Sequence, residues 1–281
     1  RPPRSTPLYS SAASDVYKRQ MLGQGINRLS IGVQSLNNAA LQLLGRRHNS
    51  EKAIQAYLTA QKSGFNNINL DLMYGLPGQD CDSALTDLEQ AIALGPEHIS
   101  WYQLTIEPNT VFYNHPPVNP GEDTIAEMTQ KGHELLEKEG FQQYEISAFA
   151  LPGEPASHNL NYWQFGDYIG IGAGAHGKLT QDKTIIRSQK TRIPSDYMVD
   201  ANPNQIKVTS EEVTLEFLMN ALRLTHGFEL NLFSERTGLP LEKLDAFIDQ
   251  ASQLEFIELN QGLLIPSAKG RDFLNDMLLL V

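Results

Sequence analysis

The feature that most constrains this fold is a regular alternation of short apolar runs and amphipathic stretches from Ile26 onward. Polar residues at or near the ends of the apolar runs follow one another at 37, 36 and 38 residues: Gln34, Asp71, Glu107 and Glu145. One strand and one crossover helix per unit of this length is typical of a parallel sheet or barrel. A strand-end hydrogen bond would explain any one of these residues. Their regular recurrence predicts that they lie at the strand ends where barrels place their chemistry.

The predicted strands are residues 28–33, 67–73, 98–106 and 142–149, separated by stretches with helical spacing. These make up about half of the eight units of a complete (β/α) barrel. An open sheet with unpaired edges would be an aggregation hazard. We therefore expect an α/β fold with a partial parallel TIM-type barrel that lacks its first strands.

The expected domain organisation has four parts. Residues 1–20, rich in Ser, Pro and Arg, are interpreted as a non-native or disordered leader, since they lack the apolar core of a secretory signal. Residues 21–193 form the partial barrel and residues 194–208 a polar connection. Residues 209–281 form a small, mostly helical, winged-helix-like domain, with a helix over 241–254, a hairpin that turns at 260–262 and a last helix capped by Ser267.

Charge and cysteine content exclude several functions. The net charge of −11 argues against a nucleic-acid partner, because phosphate binding needs an excess of Lys and Arg. Cys81 is the only cysteine, so the chain cannot form an internal disulfide or a metal site built on several thiolates. No apolar run approaches the ~18 residues needed to span a membrane. A cytoplasmic location is the expectation.

Three long motifs are specific: GINRLSIGVQS (25–35), NLDLMYGLPG (69–78) and HNLNYW (158–163). Together they resemble the HemW family of radical S-adenosylmethionine (radical SAM) heme chaperones, which is related to the oxygen-independent coproporphyrinogen III oxidases. The resemblance covers essentially residues 22–281. It implies a radical SAM barrel followed by a small C-terminal domain.

The resemblance also implies a binding site for S-adenosylmethionine across the barrel mouth. Relatives hold this ligand with a strand-end Gln, an Arg after it and an Asp on the next strand, which match Gln34, Arg46 and Asp71. The chemistry is suitable, since a ribose diol needs short acceptors and a carboxylate suits an arginine fork. A solvated helix-end cation is the other interpretation of Arg46, and Arg47 could take its place.

In the same family the HNxxYW motif is associated with heme, which here implies four binding residues: His158, Asn159, Tyr162 and Trp163. An imidazole can ligate heme iron, and aromatic rings suit a planar ligand. The alternative is a loop whose aromatic side chains only pack against the protein.

The chain departs from the family at the iron–sulfur site. The family holds a 4Fe–4S cluster on a C-x3-C-x2-C loop after the first strand, and Cys81 cannot supply three thiolates. We therefore expect heme and S-adenosylmethionine as cofactors, the cluster only in the intact family member, and no catalytic residue in this chain. Expected partners are a heme-accepting protein and, peripherally, membrane proteins. Two alternatives stay open, an oxygen-independent coproporphyrinogen III oxidase and a cluster-free binding module.

The segment GIGAGAHG (170–177) contains a literal GxGxxG. The dinucleotide fingerprint needs a helix after it, whereas this sequence continues with polar, turn-like residues. We interpret the small residues as a strand that allows close approach of a ligand or of backbone.

Overall fold

The computed structural model describes residues 20, 22–108 and 110–281, so the expected leader lies outside the described residues except for Gln20. The chain divides into two compact units. The first runs to Gln143 and includes Ser147–Pro155, and the second contains Tyr144–Ile146 and Ala156–Val281. This division falls earlier in the chain than the expected connection at 194–208.

The first unit contains all of a five-stranded sheet with the order β1-β2-β3-β5-β4 except the last two residues of β4, Tyr144 and Glu145. Its strands are β1 (Leu29–Gln34), β2 (Ile68–Tyr74), β3 (His98–Gln103), β4 (Gln142–Glu145) and β5 (Ala148–Ala150). Strands β1, β2 and β3 are parallel, as the sequence predicts. The prediction of one strand over 142–149 is wrong, because the chain turns at residues 146–147 and β5 then runs antiparallel to β3.

The helices of this unit are α1 (Asn38–Leu43), α2 (Ser50–Lys62), α3 (Cys81–Ala93), α4 (Val111–Asn114) and α5 (Glu122–Lys138). Of these, α2, α3 and α5 contribute side chains to the apolar core that also contains residues of the sheet. Short polar side chains begin α2 and α3, since Asn49 accepts from the Lys52 amide and Asp80 from the Ser83 amide. Cys81 is the first residue of α3.

Side chains along β2 alternate between a face that packs in the apolar core and a face that carries polar groups. Ile68, Leu70 and Leu72 belong to the apolar core that also contains side chains of the helices. Successive side chains of a strand point to opposite faces, so Asn69 and Asp71 lie on the other face. We call this second face, with its counterparts on β1 and β3, the inner face.

The second unit begins with α6 (Ser157–Trp163) and an antiparallel sheet in the order β6-β7-β8. Its strands are β6 (His176–Gln181), β7 (Thr184–Gln189) and β8 (Asn204–Lys207). The residues predicted to be a connection instead form α7 (Pro194–Val199) and β8. The strand β8 is exposed along its whole length, so it carries no apolar signal in the sequence.

The Gly-rich segment differs from the prediction in part. Gly172 and Gly174 have φ of +102° and +75°, which an extended strand does not allow, and the strand begins only at His176. The expected close approach of backbone is observed at Gly170, where a Cβ would lie 2.2 Å from the carbonyl oxygen of His176.

The C-terminal residues combine helices with a three-stranded antiparallel sheet in the order β10-β11-β9. The elements are α8 (Ser210–Ala221), β9 (Phe228–Glu229), α9 (Leu230–Thr237), a 3-10 turn (Leu241–Leu244), α10 (Asp245–Gln253), β10 (Ile257–Asn260), β11 (Leu263–Pro266), α11 (Ala268–Asp272) and α12 (Leu274–Leu278). The predicted hairpin turn at 260–262 is confirmed. The Ser267 hydroxyl accepts from the Gly270 amide at 2.9 Å, as a helix cap does.

Among the residues that the structure describes, no helix has the length and apolar character needed to cross a bilayer.

Candidate functional site

Gln34 occupies an unusual position at the end of β1. Its φ is +71°, a left-handed value that is uncommon for a residue other than glycine. The register between β1 and β2 shifts between Gly32 and Gln34, so the strand bulges there. Such local strain persists only where the surroundings hold it, and it is concentrated at functional sites.

The residues on both sides of Gln34 are fixed by hydrogen bonds. The buried carboxylate of Asp87 on α3 accepts from the Leu36 amide at 3.0 Å and from the Ser35 hydroxyl. Nε2 of His48 lies 3.1 Å from the carbonyl oxygen of Val33. Burial raises the pKa of Asp87, while the Ser35 and Leu36 hydrogen bonds act in the opposite direction. Contacts from α3 and from the loop that contains His48 thus hold the strained backbone around Gln34 in place.

Tyr102, on the inner face of β3, links the three residues predicted to bind S-adenosylmethionine. Its hydroxyl donates to Oε1 of Gln34 at 2.9 Å. Burial raises the pKa of Tyr102, and the charge of Asp71 raises it further, while Arg46 and the Gln34 hydrogen bond lower it. Asp71 and Arg46 therefore lie close enough for their charges to act on the phenol that donates a hydrogen bond to Gln34.

Asp71 lies within β2 rather than at its end, and hydrogen bonds hold both of its carboxylate oxygens. The Ser30 hydroxyl donates to Oδ2 at 2.8 Å, and Nδ2 of Asn69 donates to Oδ1 at 2.7 Å. These bonds fix the direction of the carboxylate. An ionised carboxyl still has lone pairs free after accepting two bonds, so Asp71 can accept further donors from a ligand.

A buried histidine, His98, hydrogen-bonds Asn69, the residue that donates to Asp71. Nδ1 of His98 lies 2.6 Å from Oδ1 of Asn69, which also accepts from the Ser100 hydroxyl at 3.1 Å. Burial, and then the nearby charge of Arg28, lower the pKa of His98 to about 3. Since Oδ1 of Asn69 can only accept, the neutral imidazole carries its proton on Nδ1.

Arg46 lies in the loop between α1 and α2, and its side chain is exposed. Its amide donates to the Leu41 carbonyl at 2.9 Å, which ties the loop to α1. Within the described residues its guanidinium forms no ion pair. Arg47 is also exposed, but Arg46 is the arginine whose charge acts on Tyr102.

The other two regularly spaced residues differ in their relation to the strand ends. Strand β3 ends at Gln103, three residues before the predicted end, and Glu107 lies exposed in the loop that follows. Glu145 is buried, is the last residue of β4 and belongs to the second unit. The prediction of a strand-end position is therefore wrong for Glu107 and confirmed for Glu145.

The four residues predicted to bind heme lie on the helix α6, so the alternative of a loop at this position is wrong. His158 and Tyr162 are exposed and one helical turn apart, with ring centroids 5.5 Å apart. Tyr162 also contacts Tyr168, at 4.6 Å between centroids. This pair forms an aromatic edge open to solvent.

Asn159 and Trp163 have a different environment. Nδ2 of Asn159 donates to the Tyr144 hydroxyl at 3.0 Å. The guanidinium of Arg223 lies over the Trp163 ring, 4.6 Å from its centroid. These two side chains attach α6 to the second unit, so the structure separates the four residues into an exposed pair and a packed pair.

The residues present do not fit an iron–sulfur cluster. Cys81 is buried at the start of α3, and burial raises the pKa of its thiol, which disfavours the thiolate that binds metal. Among the described residues no group of three or more His, Cys, Asp or Glu could hold a metal ion. One thiol cannot replace the three that such a cluster needs from the protein.

Comparison with known proteins identifies the class to which this fold belongs. Residues 15–91 match the radical SAM superfamily and residues 208–273 match the HemN C-terminal domain. The fold superposes on coproporphyrinogen III oxidase (HemN) from Escherichia coli, a radical SAM enzyme, with a TM-score of 0.76. That alignment covers 99% of this chain and 67% of the other at 18% identity, so it shows a shared fold.

Relatives closer in sequence define the family. The chain is 45% identical to the heme chaperone HemW of Escherichia coli over 256 residues, which are 90% of this chain and 68% of the relative. It is 46% identical to that of Haemophilus influenzae, covering 90% of this chain and 67% of the relative. The chain belongs to the heme chaperone HemW family. It spans about two thirds of the length of these relatives.

Proposed function

We propose that this chain binds heme through the exposed edge of α6, with His158 as the iron ligand and Tyr162 against the porphyrin. The observation that carries this proposal is that these two side chains are exposed on one side of the helix. A neutral imidazole is a common heme ligand, and an aromatic ring suits a planar porphyrin. Asn159 and Trp163 then act by holding α6 in place.

The second part of the proposal is a binding site for S-adenosylmethionine on the inner face. Asp71 accepts from the ribose hydroxyls, Gln34 contacts the adenosyl group, and Arg46 pairs with the carboxylate of the methionine portion. This part is supported by the hydrogen bond from Tyr102 to Gln34, by the position of Asp71 and Tyr102 on the same inner face, and by the charges of Asp71 and Arg46 that act on Tyr102. The exposed guanidinium and the oriented carboxylate suit a ligand that carries both a carboxylate and a diol.

We assign no radical step to this chain. Reductive cleavage of S-adenosylmethionine needs an electron from the cluster, and the thiolates for a cluster are not among its residues. Handling of heme requires a protein that accepts it, and we place this exchange in the cytoplasm with membrane proteins as peripheral contacts. The acidic composition and the single thiol suit that compartment.

The proposed heme site is tested by titration with hemin. We expect the intact chain to shift the Soret band, and the His158→Ala variant to bind about tenfold more weakly, because it loses an iron–nitrogen bond. The His226→Ala variant is the matched control, since it removes another exposed imidazole of the second unit. Equal Soret titrations of the wild type and of His158→Ala would exclude His158 as the ligand.

A further inference from the structure

The side chain of Gln34 is held at both ends of its carboxamide. It bends back over Gly32, where an added Cβ would lie 2.8 Å from Nε2 of Gln34, so a side chain at this position would force the amide to shift. On the other side its Oε1 accepts from the Tyr102 hydroxyl at 2.9 Å. The chain therefore uses a glycine and a phenol, on two different strands, to place one amide.

The hydrogen bond from Tyr102 occupies the oxygen end of the amide. In this arrangement the phenol donates to Oε1, and the two Nε2 donors of the glutamine are left for another partner. This orientation is set before any ligand arrives, which lowers the cost of ordering on binding.

We propose that Tyr102 is a positioning residue of the S-adenosylmethionine site, which acts by holding the Gln34 carboxamide over Gly32 with its donor end free. The inference rests on the proposed binding of S-adenosylmethionine. Tyr102 lies on the inner face with Asp71, and its hydroxyl donates to the Gln34 carboxamide.

The test is calorimetric titration of the full chain with S-adenosylmethionine. We expect the Tyr102→Phe variant, which keeps the ring and removes one oxygen, to bind about tenfold more weakly, in line with the loss of one hydrogen bond. We expect a similar loss in Gly32→Ala, because its Cβ displaces Nε2 of Gln34. The matched control is Tyr74→Phe, which removes a hydroxyl from the core-facing side of β2, where it accepts from Thr129 at 3.0 Å. This control should bind as the wild type does.

A double-mutant cycle separates positioning from a general structural role. If Tyr102 acts through Gln34, the Tyr102→Phe substitution should have no further effect in a Gln34→Ala background. Additive losses, or equal binding by Tyr102→Phe and the wild type, would overturn the inference while leaving the site itself intact. A wild-type chain that gives no heat with S-adenosylmethionine would instead overturn the proposed site, and the inference with it.

Discussion

The Gly132→Ala substitution is expected to lower the free energy of unfolding of the first unit by about 3 kcal/mol. An alanine Cβ at this position of α5 would lie 1.9 to 2.7 Å from three ring atoms of Trp101. That ring is buried and stacked on Tyr74, with centroids 4.1 Å apart, so it has little room to move. In an exposed helix the same change raises the free energy of unfolding by about 1 kcal/mol. Here the clash with Trp101 makes the change destabilising instead.

Urea unfolding followed by Trp101 fluorescence measures this effect. A Trp163→Phe background removes the other tryptophan, which lies in the second unit. Gly121→Ala is the matched control, because Gly121 precedes α5 with φ of −66° and an added Cβ meets nothing within 4 Å. We expect this control to change stability by less than about 1 kcal/mol. A Gly132→Ala midpoint equal to that of the wild type would show that α5 does not pack on Trp101 as described.

The second large effect is a dependence of stability on pH that originates at His98. Its pKa is lowered from the usual value of about 6.5 to about 3 in the folded chain, because burial disfavours the charged imidazole. The unfolded chain therefore binds more protons between these two values. The contribution of His98 is fully present above pH ~6.5 and is lost as the pH falls, by about 1.4 kcal/mol per unit down to pH ~3.

Unfolding at several pH values in this window tests the assignment. The His98→Asn variant should lose this part of the slope, at the cost of lower stability at neutral pH because the bond to Asn69 changes. His115→Asn, at an exposed position, should keep the slope of the wild type. A His98→Asn variant with an unchanged slope would mean that the acid sensitivity has another source.

The sequence predicts the part of the site that depends on regular strands. Gln34 and Asp71 follow from apolar runs that become the neighbouring parallel strands β1 and β2. Arg46 came from the family resemblance, because an exposed loop arginine has no periodicity to reveal it. The spacing failed at Glu107, because β3 ends at Gln103 and not at the predicted residue 106.

Tyr102 was not predicted as a site residue, because its contact with Gln34 depends on which residues of the neighbouring strands lie side by side. The signal was present in the alternation of His98, Ser100 and Tyr102, which puts three polar groups on one face of β3. A strand with polar residues at alternate positions usually faces solvent, whereas here that face lines the candidate site. The bulge that turns Gln34 toward Tyr102 is set by the Asp87 and His48 contacts, which join residues far apart in sequence.

The central claim is most directly tested by a crystal structure of the chain soaked with S-adenosylmethionine. The account predicts density for the adenosyl group on the inner face, with the ribose against Asp71, the methionine carboxylate at Arg46 and the Gln34 amide in contact with the ligand. A ligand bound elsewhere on the molecule, with these three side chains untouched, would contradict it.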